Sequence, residues 1–88
     1  LIGAVARHGR IIVIDDSYPN VDQKRLESPI MLAEKLFAAI AAPIFLENQI
    51  KGVLLVGSRR NRIYSQEEIE TIAEKTNEIG LLLGVESN

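Results

Sequence analysis

Three groups of residues in this 88-residue chain carry side chains able to do chemistry. Asp15 and Asp16 are adjacent and are followed by Ser17 and Tyr18. Neighbouring carboxylates can exchange a proton or hold a hard cation. His8, the sole histidine, lies between Arg7 and Arg10; a nucleophilic triad would need it beside Ser17. Arg59, Arg60 and Arg62 crowd one short stretch and could pair with phosphate or nucleic acid.

Each group also has a plainer reading. An Asp-Asp-Ser sequence at a strand end hydrogen-bonds its own backbone in a turn. Ligand contact is the next reading of the two aspartates, and metal or catalysis the last. His8 beside two arginines suits a solvated helix C-terminus, and nothing in the sequence brings it to Ser17. The arginines lack interleaved aromatics and a glycine-rich cradle, so a solvated loop is the better reading. Gly52 and Gly57 do not open a helix and make no dinucleotide fingerprint. No catalytic constellation emerges, and the chain is read as not an enzyme.

Composition narrows the classes further. Hydrophobic residues make up 47% and charged ones 25%, the proportions of an ordinary globular domain. The net charge of −2 argues against broad attraction to nucleic acid or an anionic membrane. There is no cysteine, so disulfides, thiolate metal sites and cysteine nucleophiles are excluded within this chain. The absence suits a reducing compartment, and a cytoplasmic location is the expectation. The longest apolar run, residues 36–46, contains Pro43 and is too short to cross a membrane. Residue 1 is Leu, so the chain reads as a piece of something larger, forming one domain over residues 1–88.

The elements that must position these residues follow from local pattern. Leu1 to Arg10 reads as a helix end, with Gly9 placed to close it. Ile11-Ile12-Val13-Ile14 reads as a buried strand. Asp15 to Asn20 is turn chemistry, and the chain to about Pro29 is expected to be irregular. Pro29 starts a short helix reaching about Phe37. Ala38 to Leu46 is a second strand, where Pro43 implies an edge, a bulge or a non-bonded position. Glu47-Asn48-Gln49 turns it back into a third strand, Ile50 to Ser58, with φ > 0 expected at Asn48. Phe37 and Phe45 are expected in the core; Tyr18 either caps the core or covers a pocket.

A last helix begins at Ser65, an N-cap with Glu68 three residues on and a Tyr64–Ile69 staple around it. It is expected to end near Leu83, before Gly84. Ile69, Ile72, Thr76, Ile79 and Leu83 are spaced 3, 4, 3 and 4 residues apart. That stripe either covers the sheet or pairs with a second copy of the chain, and Leu82 and Val85 widen it.

Three stretches together resemble a GAF domain. "GAVARHGRIIVIDD", Gly3 to Asp16, is similar to that family's helix, glycine and strand ending in Asp. "AAIAAPIFLENQIKGVLLVGS", Ala38 to Ser58, resembles its proline-containing strand and hairpin. "IYSQEEIETIAEKTNEIGLLL", Ile63 to Leu83, resembles its capped closing helix. The resemblance implies an α/β fold of α+β type: an antiparallel sheet of about three strands flanked by helices, GAF- or PAS-like and incomplete. The family's first helix and opening strands would lie before Leu1, and an unpaired sheet edge invites pairing with another chain.

In function, the resemblance implies a regulatory sensor module of a bacterial-type signalling or transcription-regulatory protein. Such a module binds a small molecule, dimerises, or both, and relays to an effector domain through its C-terminal helix. The alternative is a homodimerisation module with no ligand. The expected ligand-binding residues are Ile14, Asp16, Tyr18 and Phe37, beside the Ile11–Asp16 strand and the Pro29–Phe37 segment. The expected dimer or signalling residues are Ile69, Ile72, Thr76, Ile79 and Leu83. No cofactor, nucleic-acid or membrane contact is expected. The loop "NVDQKRLESPIM" lacks the Asn-Lys…Phe…Asp-Glu signature of cyclic-nucleotide GAF domains. Bilin attachment and the family's methionine sulfoxide reductase chemistry both rely on cysteine.

Overall fold

Gly9 closes the first helix in the left-handed conformation (φ 65°), its amide reaching back to the Val5 carbonyl. From there the chain runs α1 (Ile2–His8), β1 (Ile12–Ile14), α2 (Val21–Leu26), α3 (Pro29–Ala33), β2 (Ala38–Leu46), β3 (Gln49–Ser58) and α4 (Gln66–Glu86). This computed structural model describes residues 1–86, with side chains described in α4 as far as Leu82.

The strands form one antiparallel sheet in the order β1-β2-β3. The pleat sends alternate residues to opposite faces, and the two faces take different helices. Ile14 and Ala39 lie on one face with Met31 and Leu36, and Leu1, Ile12, Val21, Ile30 and Leu55 pack around them. That face carries α1, α2 and α3. Ala38 and Ile40 lie on the other with Tyr64, packed by Ile11, Val13, Ile69 and Ile72. That face carries α4. The antiparallel α+β architecture expected from the sequence is therefore the architecture of the chain.

Several local expectations change. The stretch before Pro29 is not irregular, because Val21–Leu26 is helical, with Asp22 in its first turn and Lys24 and Arg25 in its last. α3 stops at Ala33, and Lys35 takes φ 57° before the chain enters β2. Pro43 sits in the middle strand, where it is buried. It is tolerated because the β1 ladder stops at Ala41 and the β3 register slips between Ile44 and Phe45. Phe45 is 45% exposed rather than core, since it follows that slip and precedes the turn. The turn has positive φ at both Glu47 (54°) and Asn48 (66°), the signature of a two-residue type I′ hairpin. α4 runs through Gly84 to Glu86, so that glycine does not end it; a single glycine costs a helix only about 1 kcal/mol.

α4 starts as its sequence implies. The Glu68 amide donates to Ser65 Oγ (3.1 Å), and the Ser65 amide donates to Glu68 Oε1 (3.0 Å). Both halves of the capping box are made, and Tyr64 and Ile69 share one apolar cluster as its staple. Ile69, Ile72 and Ile79 are half-buried and Thr76 is buried, while Leu83 lies outside the described side chains. The described part of the stripe faces inward, and Leu81 and Leu82 stand outside it at 73% and 62% exposure.

Candidate functional site

β1 is short, but it borders both main features of the molecule. On the α1–α3 face, Ile12 and Ile14 form one wall of a cavity of about 300 Å3, whose other lining residues are Leu1, Ala4, Tyr18, Lys24, Glu27 and Ser28. The volume is at the lower end of small-molecule sites. Its walls are apolar where α1 and β1 contribute and polar where α2 and the α2–α3 connection contribute. Lys24 Nζ lies 3.6 Å from Glu27 Oε2 and 5.9 Å from the centre of the Tyr18 ring. Ser28 is 2% exposed, and its Oγ has no hydrogen-bond partner.

Of the four expected ligand contacts, Ile14 and Tyr18 line this cavity. Asp16 does not line it. It is exposed, and its amide donates to the Arg62 carbonyl (3.1 Å). Phe37 does not line it either, because the Arg25 guanidinium stacks 3.9 Å from its ring centre while Arg25 Nε donates to the Leu36 carbonyl (2.9 Å). The other lining residues, Leu1, Ala4, Ile12, Lys24, Glu27 and Ser28, were not among the expected contacts. Of these only Lys24 lies in α2, and Glu27 and Ser28 form the connection from α2 to α3.

Asp15 is the second feature. It is 2% exposed at the end of β1. Its Oδ1 accepts from the Ser17 amide (2.9 Å) and the Ser17 hydroxyl, and its Oδ2 accepts from the Tyr64 amide (2.8 Å). The first pair is the expected turn. The third contact reaches 49 residues along the chain to the residue before the α4 N-cap. Burial opposes the charge of Asp15, but the Ser17 hydroxyl, the Tyr64 and Ser17 amides and nearby Arg62 together hold its carboxyl below the ordinary value.

Arg62 ion-pairs with Glu68 and stacks 4.5 Å from the Tyr64 ring centre. The Ser65 amide and Arg62 hold the exposed Glu68 carboxyl below its ordinary value. Burial pushes the Tyr64 phenol up, with Arg62 opposing. Arg59 pairs with Glu34 at 3.6 Å. Two of the three loop arginines thus have carboxylate partners within the chain. His8 is exposed at the end of α1. Among the described residues no cluster of metal-ligating side chains forms, and no helix is long and apolar enough to cross a membrane.

Against this geometry, the sequence model of the GAF domain family matches residues 1–83. No curated protein matches the chain. Among solved structures, the phycocyanobilin-bound GAF domain of a cyanobacterial phytochrome superposes with a TM-score of 0.71 at 18% identity, covering 92% of this chain and 50% of that one. That likeness is one of fold. A mutated NreA protein from Staphylococcus aureus, altered in its nitrate-binding site, is 33% identical, with a TM-score of 0.61 and coverage of 81% of this chain and 56% of that one. A hypothetical S. aureus protein is 34% identical, with a TM-score of 0.59 and coverage of 69% and 50%. The chain spans about half the length of these structures.

Proposed function

Because the chain belongs to the GAF domain family, we propose that it is the sensor module of a signalling or transcription-regulatory protein, taking a small molecule in the cavity beside β1 and relaying its occupancy through α4. The cavity carries this reading: a space of about 300 Å3, lined by Ile12 and Ile14 on its apolar side and by Lys24, Glu27 and Ser28 on its polar side. α4 is the natural output, because Tyr64, the residue before its N-cap, is tied to the end of β1 through Asp15. A ligand shifts such a helix only by binding its two positions with different affinity.

The test is a titration followed by amide and methyl NMR, with nitrate included because an NreA protein binds it. Small-molecule sensing predicts a ligand that moves the Ile12 and Ile14 methyl signals and raises the melting temperature. A broad metabolite panel that moves neither methyl would defeat the reading.

A second reading, homodimerisation without a ligand, is favoured by the exposure of Leu81 and Leu82. The described residues of the Ile69–Ile79 stripe turn toward the sheet, so α4 would pair through these leucines instead. A concentration-dependent mass in light scattering that L81E/L82E abolishes is the expected result. A monomer throughout the concentration range would remove this reading and leave the sensor intact.

A further inference from the structure

Charge is divided unevenly between α4 and the rest of the chain. α4 holds six of the twelve carboxylates and one of the ten lysines and arginines. Glu67, Glu70, Glu74 and Glu78 are exposed at spacings of 3, 4 and 4 residues, so they share the outer side of the helix, where like charges repel. Lys75, the one cation of α4, pairs with Glu78 at 3.4 Å.

The opposite charge gathers at the end of α1. Residues 1–14 contain Arg7 and Arg10 and no carboxylate. Both arginines are exposed, and neither joins an ion pair among the described residues. The two sets of charge flank one apolar patch. Between the arginines in sequence, Gly9 packs on the hairpin: a methyl there would sit 3.4 Å from the Phe45 ring and 3.7 Å from the Ile50 side chain. On the other face of the sheet, Gly80 lies against the Phe45 carbonyl, and the exposed Leu81 and Leu82 follow it. Phe45, itself exposed, is thus bordered by cations on the α1 side and by leucines and carboxylates on the α4 side.

We infer that this hairpin end is an interface with a second copy of the chain, closed by a two-fold axis. Phe45, Leu81 and Leu82 form its apolar centre. Arg7 and Arg10 of each copy face Glu74 and Glu78 of the other. A patch with cations on one flank and carboxylates on the opposite flank is complementary to itself, because half a turn sets each sign against its opposite. An apolar centre inside a charged rim is also the ordinary anatomy of an interface. Direct α4–α4 pairing would set two rows of glutamates against each other, which opposes association. The inference rests on the homodimer reading and supplies the surface that α4 meets; the sensor reading does not depend on it.

Light scattering on the 88-residue chain tests it. A dimer is expected at low salt, with a dissociation constant about tenfold weaker at about 1 M salt, where charges are screened beyond about 3 Å. R7E/R10E and E74R/E78R should each be monomeric where the parent is dimeric. Their equimolar mixture should regain the dimer, since both sets of contacts are again between opposite charges. R59E/R60E, the same charge change beyond the far end of β3, should leave the parent dimer intact. Arg10→Ala and Glu74→Ala should each weaken it several-fold, and they carry the test if a reversal does not fold. A dimer that L81E/L82E abolishes and the arginine variants leave unchanged overturns this interface and keeps α4–α4 pairing. A mass that climbs past two copies overturns the two-fold closure. A monomer at every concentration and salt overturns the inference and the homodimer reading together.

Discussion

Two adjacent aspartates that look equivalent in sequence separate completely in the fold. Asp16 is exposed, whereas Asp15 is buried and accepts from two amides and a hydroxyl. Strand alternation accounts for the buried one: Ile12 and Ile14 face the α1–α3 side, so Asp15 follows Val13 toward the side of Tyr64, whose amide it accepts. The charged form of Asp15 is favoured more in the folded than in the unfolded chain. Such a group contributes stability that is complete above about pH 4 and disappears as the pH falls through its lower folded value. Asp15→Asn is therefore expected to destabilise the chain by about 1–3 kcal/mol at neutral pH, having exchanged an acceptor for a donor opposite the Tyr64 amide. The deficit should shrink as the pH drops below about 4. Urea unfolding at pH 7, 4 and 3 measures it, and a deficit constant with pH would contradict the assignment. Asp16→Asn should change stability by less than about 0.5 kcal/mol, as exposed substitutions do.

α1 and α4, on opposite faces, both contain glycine, and the same substitution should act in opposite directions at Gly3 and Gly80. A methyl on Gly3, in α1, would meet open space. Gly3→Ala should therefore stabilise by about 0.5–1 kcal/mol through helix propensity. A methyl on Gly80, in α4, would run into the backbone carbonyl oxygen of Phe45. No rotamer change relieves a clash with main chain, so Gly80→Ala should destabilise by about 1–3 kcal/mol. Denaturant midpoints of the two variants decide this, and a stabilising G80A would mean that α4 does not lie so close to β2. At the α4 start, Ser65→Ala should cost about 1 kcal/mol. That helix start was legible in sequence because a capping box states its own hydrogen bonds. The hairpin was legible because Asn48 marks its turn. α2 was not, since six residues with an exposed Leu26 carry too little periodicity to stand out from a loop. The cavity was legible only at Ile14 and Tyr18. It is assembled from α1, β1, α2 and the α2–α3 connection, and no local pattern says that Leu1 and Ser28 line one space.

The cavity and α4 lie on opposite faces of a three-stranded sheet, so a signal from one to the other must pass through or around the sheet. The shortest route runs along it. Ile12 and Ile14 touch the cavity, Asp15 follows at once, and its Oδ2 holds the Tyr64 amide one residue before the α4 cap. The Asp16 amide adds a parallel tie to the Arg62 carbonyl at 3.1 Å. A molecule that fills the cavity and steadies β1 should therefore steady the α4 entry, whereas coupling through general tightening of the fold would act on all amides alike. The expected outcome is that a molecule that moves the Ile12 and Ile14 methyl signals slows hydrogen exchange at the Tyr64 and Asp16 amides more than at amides of the β2–β3 hairpin. In Asp15→Ala the carboxylate link is gone. The same molecule should still move the Ile12 and Ile14 methyls there, yet no longer protect residue 64. Protection of Tyr64 that survives D15A would show that the message reaches α4 through the packed Ala38–Ile40–Ile72 layer instead of through the carboxylate.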